Sequence, residues 1–305
     1  LTALSVIAAL RAGDASPWVI RAARYLVGKQ DSEGKIGDPS QHWIYNHVLA
    51  SEALSLAAHL LGNEEFRMPA RKATGLIDAA RNTGAAAGWR YGLKPGDSDT
   101  SVTVWALRAL LAAKMAGIQV EDDTVRGGMA FIQTMMGKDG RIGYEKQGAP
   151  TGRTGARIDR FLPKLSESMT AAGTSVLLYS PMLKANDQRL QKARRIVIGC
   201  PPTFTFKSRS GAVLLEKLSY GEKRKINRLS TLDFYYWQHA TALFRAWRLT
   251  RGKTIHRASD WKNLPSLLGS HQRKSGDARG SWDPGSFFPT LLRATPARRS
   301  CVPKG

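Results

Sequence analysis

The chain has 305 residues, with 42% apolar residues, two cysteines and a formal net charge of +22. That length is enough for a sizeable core. Cys200 and Cys301 form no CxxC pair, which excludes a cysteine zinc site and a disulfide framework. The charge is uneven, +1 over residues 1–100, +7 over 101–200 and +14 over 201–305, so the attraction to anionic partners belongs mainly to the last third.

In chain order, the first residues, LTALSVIAALRAG, are too short for a membrane span and lack the basic start of a leader. They read as the end of a helix, as though the chain begins inside a repeat. Val19, Ala22, Ala23 and Leu26 make an apolar stripe ending at Gln30, followed by the turn QDSEGKIG. Tyr45–Asn63 is a second helix, closed by Gly62 and Asn63. A second unit opens at Arg67, turns at Gly88-Trp89 and restarts after Asp99. A third runs from VRGGMAFIQTMMGKDGRIGY to SESMTAAGTSVLLYSPML. A fourth runs from NDQRLQKARRIVIG, through a basic insertion around Phe206–Arg228, to LDFYYWQHATALFRAWRL. A fifth starts at SDWKNLPSLLGSHQ and reaches GSWDP. Each unit is helix, Gly/aromatic turn, loop, helix, without competing β alternation, which predicts an all-α repeat fold.

The turns Gln30–Gly37 and Gly137–Tyr144, with Gly88-Trp89 and Gly280-Ser281-Trp282 as further copies, resemble the Q-x-x-x-G-x-W/F turns of squalene and terpenoid cyclases. Asp97-Ser98-Asp99-Thr100-Ser101-Val102 resembles the acid-bearing segment of squalene–hopene cyclases. The resemblance covers residues 1–284 and points to the terpenoid cyclase and protein prenyltransferase superfamily. It implies an α/α toroid, here an incomplete barrel of about four and a half repeats, with the first helix of each unit outside and the second inside. Residues 285–305 are read as a separate basic tail, expected to be disordered. Pro289, Pro296 and Pro303 leave no room there for a closing helix.

In such a barrel the inner-helix starts gather at one end, around Tyr45-Asn46-His47, Asp97–Thr100, Ser166–Thr170 and Asp233–His239. The expected ligand pocket is Tyr45, His47, Trp89, Tyr91, Tyr236 and His239. The candidate acids are Asp97 and Asp99. In the cyclase pattern D-x-D-D-T the middle acid protonates an alkene or epoxide, and alignment on Asp99-Thr100 puts Ser98 there, so the cyclisation acid is missing from its usual place. The same D-S-D-T run before an apolar helix predicts an N-cap at Ser98, Asp99 or Thr100.

Asp233-Phe234-Tyr235 and His239 resemble the zinc segment of prenyltransferases. The cysteine partner is absent, so no metal and no cofactor is expected. Arg251-Gly252-Lys253-Thr254 is not a phosphate loop, because Trp247 replaces the required glycine. The leading expectation is a cyclase-like repeat protein binding an apolar, isoprenoid or peptide ligand at the rim. The alternatives are a cyclase or prenyltransferase using Asp97 or Asp99, and a basic scaffold. Lys217, Lys223, Arg224, Lys225 and Arg228 suit contact with an anionic bilayer. They lack the aromatic array of single-strand binders, so nucleic acid is not the expected partner.

Overall fold

The computed structural model describes residues 2–37, 43–148, 167–184, 186–200, 234–252 and 266. The helices among them are α1 (Thr2–Arg11), α2 (Pro17–Val27), α3 (Trp43–Leu60), α4 (Arg67–Ala80), α5 (Thr100–Met115), α6 (Asp122–Thr134), α7 (Glu167–Leu177), α8 (Gln188–Ile198) and α9 (Phe234–Arg251), with a short 3₁₀ turn at Glu64–Phe66. The fold is all-α. Among the described residues the only extended pairings are two isolated bridges, Gln30 with Ile36 and Met136 with Ile142.

Alternate helices form two rows. α1, α3, α5, α7 and α9 pack in succession, and α2, α4, α6 and α8 lie against them. The sequence carries this division. In α2 the buried residues are Val19, Ala23 and Leu26, and in α8 they are Leu190, Ala193 and Val197. Such single stripes suit a helix with one solvated face. By contrast, α3 buries nearly everything from Trp43 to Ala58, and α5 nearly everything from Thr100 to Ala113. A helix apolar all round belongs between layers. Arg245 on α9 donates through Nη1 to the carbonyl of Arg11 on α1 at 3.4 Å, so the last described helix of this row reaches the first.

The turns joining outer to inner helices share a construction. In one, Asp31 N–H donates to Lys35 O and Gly34 N–H to Asp31 O. In another, Gly137 N–H donates to Arg141 O and Gly140 N–H to Gly137 O. Gly34 and Gly140 have φ of +90° and +85°, a region that only glycine enters without strain. A Cβ on Gly34 would stand 2.9 Å from Lys72 O, and one on Gly140 2.6 Å from Ala193 N and Arg189 O. Each turn therefore rests directly on the backbone of the next outer helix.

The expected helix running on to Leu183 stops at Leu177 instead. Pro181 disfavours helical backbone at Ser180 and ends the run. The basic insertion, the fifth unit with Gly280-Ser281-Trp282 and residues 285–305 lie outside the described residues, apart from Ser266. No helix among the described residues is long and apolar enough to cross a membrane.

Candidate functional site

The start of α5 is stitched between two turns. Asp99 N–H donates to Trp89 O at 3.0 Å and Thr100 N–H to Tyr144 O at 2.9 Å, while Thr100 Oγ1 donates to Gly143 O at 2.6 Å. These bonds draw Tyr91 and Tyr144 together until their hydroxyls hydrogen-bond. Asp99 is the N-cap of α5. Its Oδ1 accepts from Val102 N–H at 2.9 Å and from Ser101 Oγ at 2.7 Å. The predicted cap is thus present, one of the three residues named for it. Because the Ser101 hydroxyl gives its proton to Asp99, its oxygen accepts from Tyr45 on α3. The result is a relay, Tyr45 to Ser101 to Asp99.

Asp99 is fully buried, and its Oδ2 has no partner among the described residues. Burial pushes its carboxyl above the ordinary range, and the cap bonds from Val102 and Ser101 only partly oppose this. When the group is protonated, Oδ2 is the oxygen free to carry the proton. Burial, and then the charge of Asp99, likewise push the phenols of Tyr45 and Tyr144 upward. The Tyr45 and Tyr91 rings stand 5.9 Å apart. Tyr235, at the start of α9, also lies within electrostatic reach of Tyr45. The rim is therefore a buried acid ringed by Tyr45, Tyr91, Tyr144 and Tyr235.

Several expected pocket residues have other work. Asp97 is exposed and pairs with Arg90 Nη1 at 2.7 Å, so it is a surface ion and not a buried acid. Trp89 is a wedge, with its indole donating to Ile77 O at 2.7 Å and its ring tight against Gly128 of α6. His47 Nδ1 accepts from Ile36 N–H at 3.1 Å, which makes Nε2–H the donor to Ala73 O at 2.9 Å. Burial holds this imidazole down at about 4, so it is neutral and committed to the turn. The Tyr236 hydroxyl points at α8, against the carbonyls of Val197 and Cys200 at 3.0 and 2.9 Å.

His239 is fully buried between Tyr235 and Trp105, at ring separations of 4.4 and 5.0 Å. Neither ring nitrogen has a partner among the described residues. Burial, and then the Arg108 cation, lower its basicity well below the ordinary value. A guanidinium beside an imidazole also opposes a metal cation there. Among the described residues no three His, Cys, Asp or Glu groups are placed to hold a metal, and Asp233 lies outside those residues.

Sequence reasoning missed Tyr144 and Ser101 as partners of the acid. The signal for Tyr144 was present, since Tyr91 and Tyr144 each stand two positions beyond a fully buried turn residue, Trp89 and Ile142. A surface cleft of about 410 Å³, lined by Ala130, Gln133, Thr134, Met136, Gln147 and Arg189, lies elsewhere and carries none of these groups. No protein-family model matches this chain, and no curated protein matches it either.

Proposed function

We propose that this chain is a cyclase- and prenyltransferase-like helical repeat protein that binds an apolar, isoprenoid-type ligand at the tyrosine rim, with the ligand's polar end on Asp99. The observation that carries this reading is the Asp99 carboxyl, buried, with one oxygen capping α5 and the other without a partner among the described residues. An unsatisfied buried acceptor is uncommon and calls for an occupant. The surrounding tyrosines offer apolar faces and hydroxyls together, which suits a ligand with one polar end. The alternating rows and the recurring Gly turns support the repeat architecture.

The test is titration of the purified chain with farnesol, followed by tryptophan fluorescence. The expected result is saturable binding, weakened about tenfold by Asp99→Asn, the scale of one hydrogen bond to a charged or strongly polar group. Asparagine caps helices as well as aspartate, so the fold is kept. Farnesol binding that ignores Asp99→Asn and Tyr45→Phe would remove the reading.

A second reading is acid catalysis, with Asp99 protonating an alkene or epoxide. The raised carboxyl and its free Oδ2 favour Asp99 over Asp97. Incubation with a lipid extract decides it. A cyclised product made by the wild type and lost in Asp99→Asn supports catalysis, and its absence leaves the binding reading. Scaffold binding to anionic lipid through the basic last third predicts affinity that falls steeply with salt.

A further inference from the structure

Midway along α3 and α5 lies a second group of charges, and it is not balanced. Glu52 on α3 is fully buried. Its Oε1 accepts from Arg108 Nη2 of α5 at 3.0 Å and from Arg11 Nη2 of α1. Arg108 is itself buried, with only 6% of its side chain exposed. Its guanidinium lies over the Trp105 ring at 4.3 Å. Nε and Nη1 of Arg108 have no partner among the described residues, and neither does Glu52 Oε2. Arg245 of α9 stands within electrostatic reach of Arg11, and Tyr179 feels Arg245, Arg11 and Arg108 together. Two guanidinium groups thus share one carboxylate, a third stands close to them, and the neutral His239 imidazole lies beside Arg108.

The group is graded in depth. Arg245 is exposed, Arg11 is partly exposed and Arg108 is buried. Of the outer two, Arg245 donates to the carbonyl of Arg11 at the C-terminus of α1 and Arg11 pairs with Glu52. Arg108 lies within α5, where the backbone carbonyls are committed to the helix ladder. Two nitrogens of a buried cation that lack a partner among the described residues are costly to leave so, and folded proteins satisfy such groups with a partner, a water or an ion.

We propose that this group of charges binds a small oxyanion, a carboxylate or phosphate group, on the Arg108 guanidinium, with Arg11 and Arg245 at its mouth. A planar fork of donors suits a planar or tetrahedral oxyanion. Trp105 covers one face of the fork and Glu52 fixes one nitrogen, so Arg108 is held in place before the anion arrives. The proposal rests on residues other than those of the tyrosine rim, from which Trp105 and His239 separate it.

The experiment is isothermal titration of the full chain with inorganic phosphate and, in a separate arm, with acetate, each against chloride at matched ionic strength. Saturable one-to-one binding of either oxyanion is expected, and the tighter arm identifies the group. Arg108→Gln and Arg245→Gln are each expected to weaken it about tenfold or more, while Arg195→Gln on the outer face of α8 leaves it unchanged. Arg245 is exposed, so Arg245→Gln decides the matter if circular dichroism finds Arg108→Gln unfolded. No saturable heat in either arm, binding matched by chloride, or equal weakening by Arg195→Gln would overturn the proposal.

Discussion

Glu52 and Arg108 form an ion pair in the interior, 3.0 Å apart, with 0% and 6% of their side chains exposed. Both stand within helices that are mostly buried. Removing one partner from such a pair strands the other in a low-dielectric interior. Glu52→Gln is therefore expected to destabilise the fold by about 3–5 kcal/mol, measured by urea unfolding. The double variant Glu52→Leu/Arg108→Leu should recover much of this loss, because replacing both charges removes the desolvation cost as well. Additive losses in the double variant would mean that the two groups do not interact.

Asp99 caps α5 and is also a buried acid, and the two roles separate by substitution. Asp99→Ala should cost about 1 kcal/mol of stability at neutral pH through the lost cap, and Asp99→Asn much less. The carboxyl is raised above its ordinary value of 3.8, so the folded state binds its proton more tightly than the unfolded chain does. Its contribution is complete below pH 3.8 and is lost as pH rises through the raised value. The stability difference between wild type and Asp99→Asn should fall over that window and be flat above it. A difference flat from pH 3 upward would contradict the burial of this group.

Much of the fold was legible because the relevant signals are local. Gly34 and Gly140 mark turns by a backbone angle that other residues avoid, and the stripes of α2 and α8 follow from their own spacing. The cap at Asp99 is a matter of a few neighbouring residues. The site was less legible because α3, α5 and α9 are rich in buried residues on several faces, so periodicity does not say where a given aromatic points. Tyr45 faces the rim, while Tyr236, one residue beyond Tyr235, turns toward α8. The Glu52–Arg108 pair depends on the register between two helices, for which the sequence holds only a hint, a lone ionisable group in each apolar run.

Gly140 offers a direct test of the turn packing. Alanine there meets a left-handed φ of +85° and backbone atoms of α8 at 2.6 Å. Gly148 has a φ of +65° with nothing within 4 Å of its missing Cβ, so alanine there meets the angle alone. Gly148→Ala should cost about 1–2 kcal/mol, and Gly140→Ala about 2–4 kcal/mol once the clash is added. Equal losses for the two would show that the turn does not press on α8.

His47, Thr103 and Thr170 do the same work with different chemistry. Each accepts from the backbone N–H of a turn residue, Ile36 at 3.1 Å, Trp89 at 3.0 Å and Ile142 at 3.1 Å. Only the first acceptor is a titratable group. Burial holds His47 at about 4 against an ordinary 6.5, with the bond to Ala73 O opposing the shift only in part. Protonation therefore favours the unfolded chain, and it also removes the lone pair that receives Ile36 N–H. The stability tied to this group is complete above pH 6.5, declines below it and is lost as pH falls through about 4, a change of about 3 kcal/mol. His47→Thr places at this turn the acceptor used by the other two. The variant should lose a constant amount, about 1–2 kcal/mol, for the smaller side chain. It should also lose the acid-sensitive part, so that the wild-type advantage shrinks steadily between pH 6.5 and 4. Urea unfolding of both proteins at half-unit pH steps reads this directly. A stability difference that stays constant across the interval would mean that His47 is solvated and that its bond to Ile36 does not hold the turn.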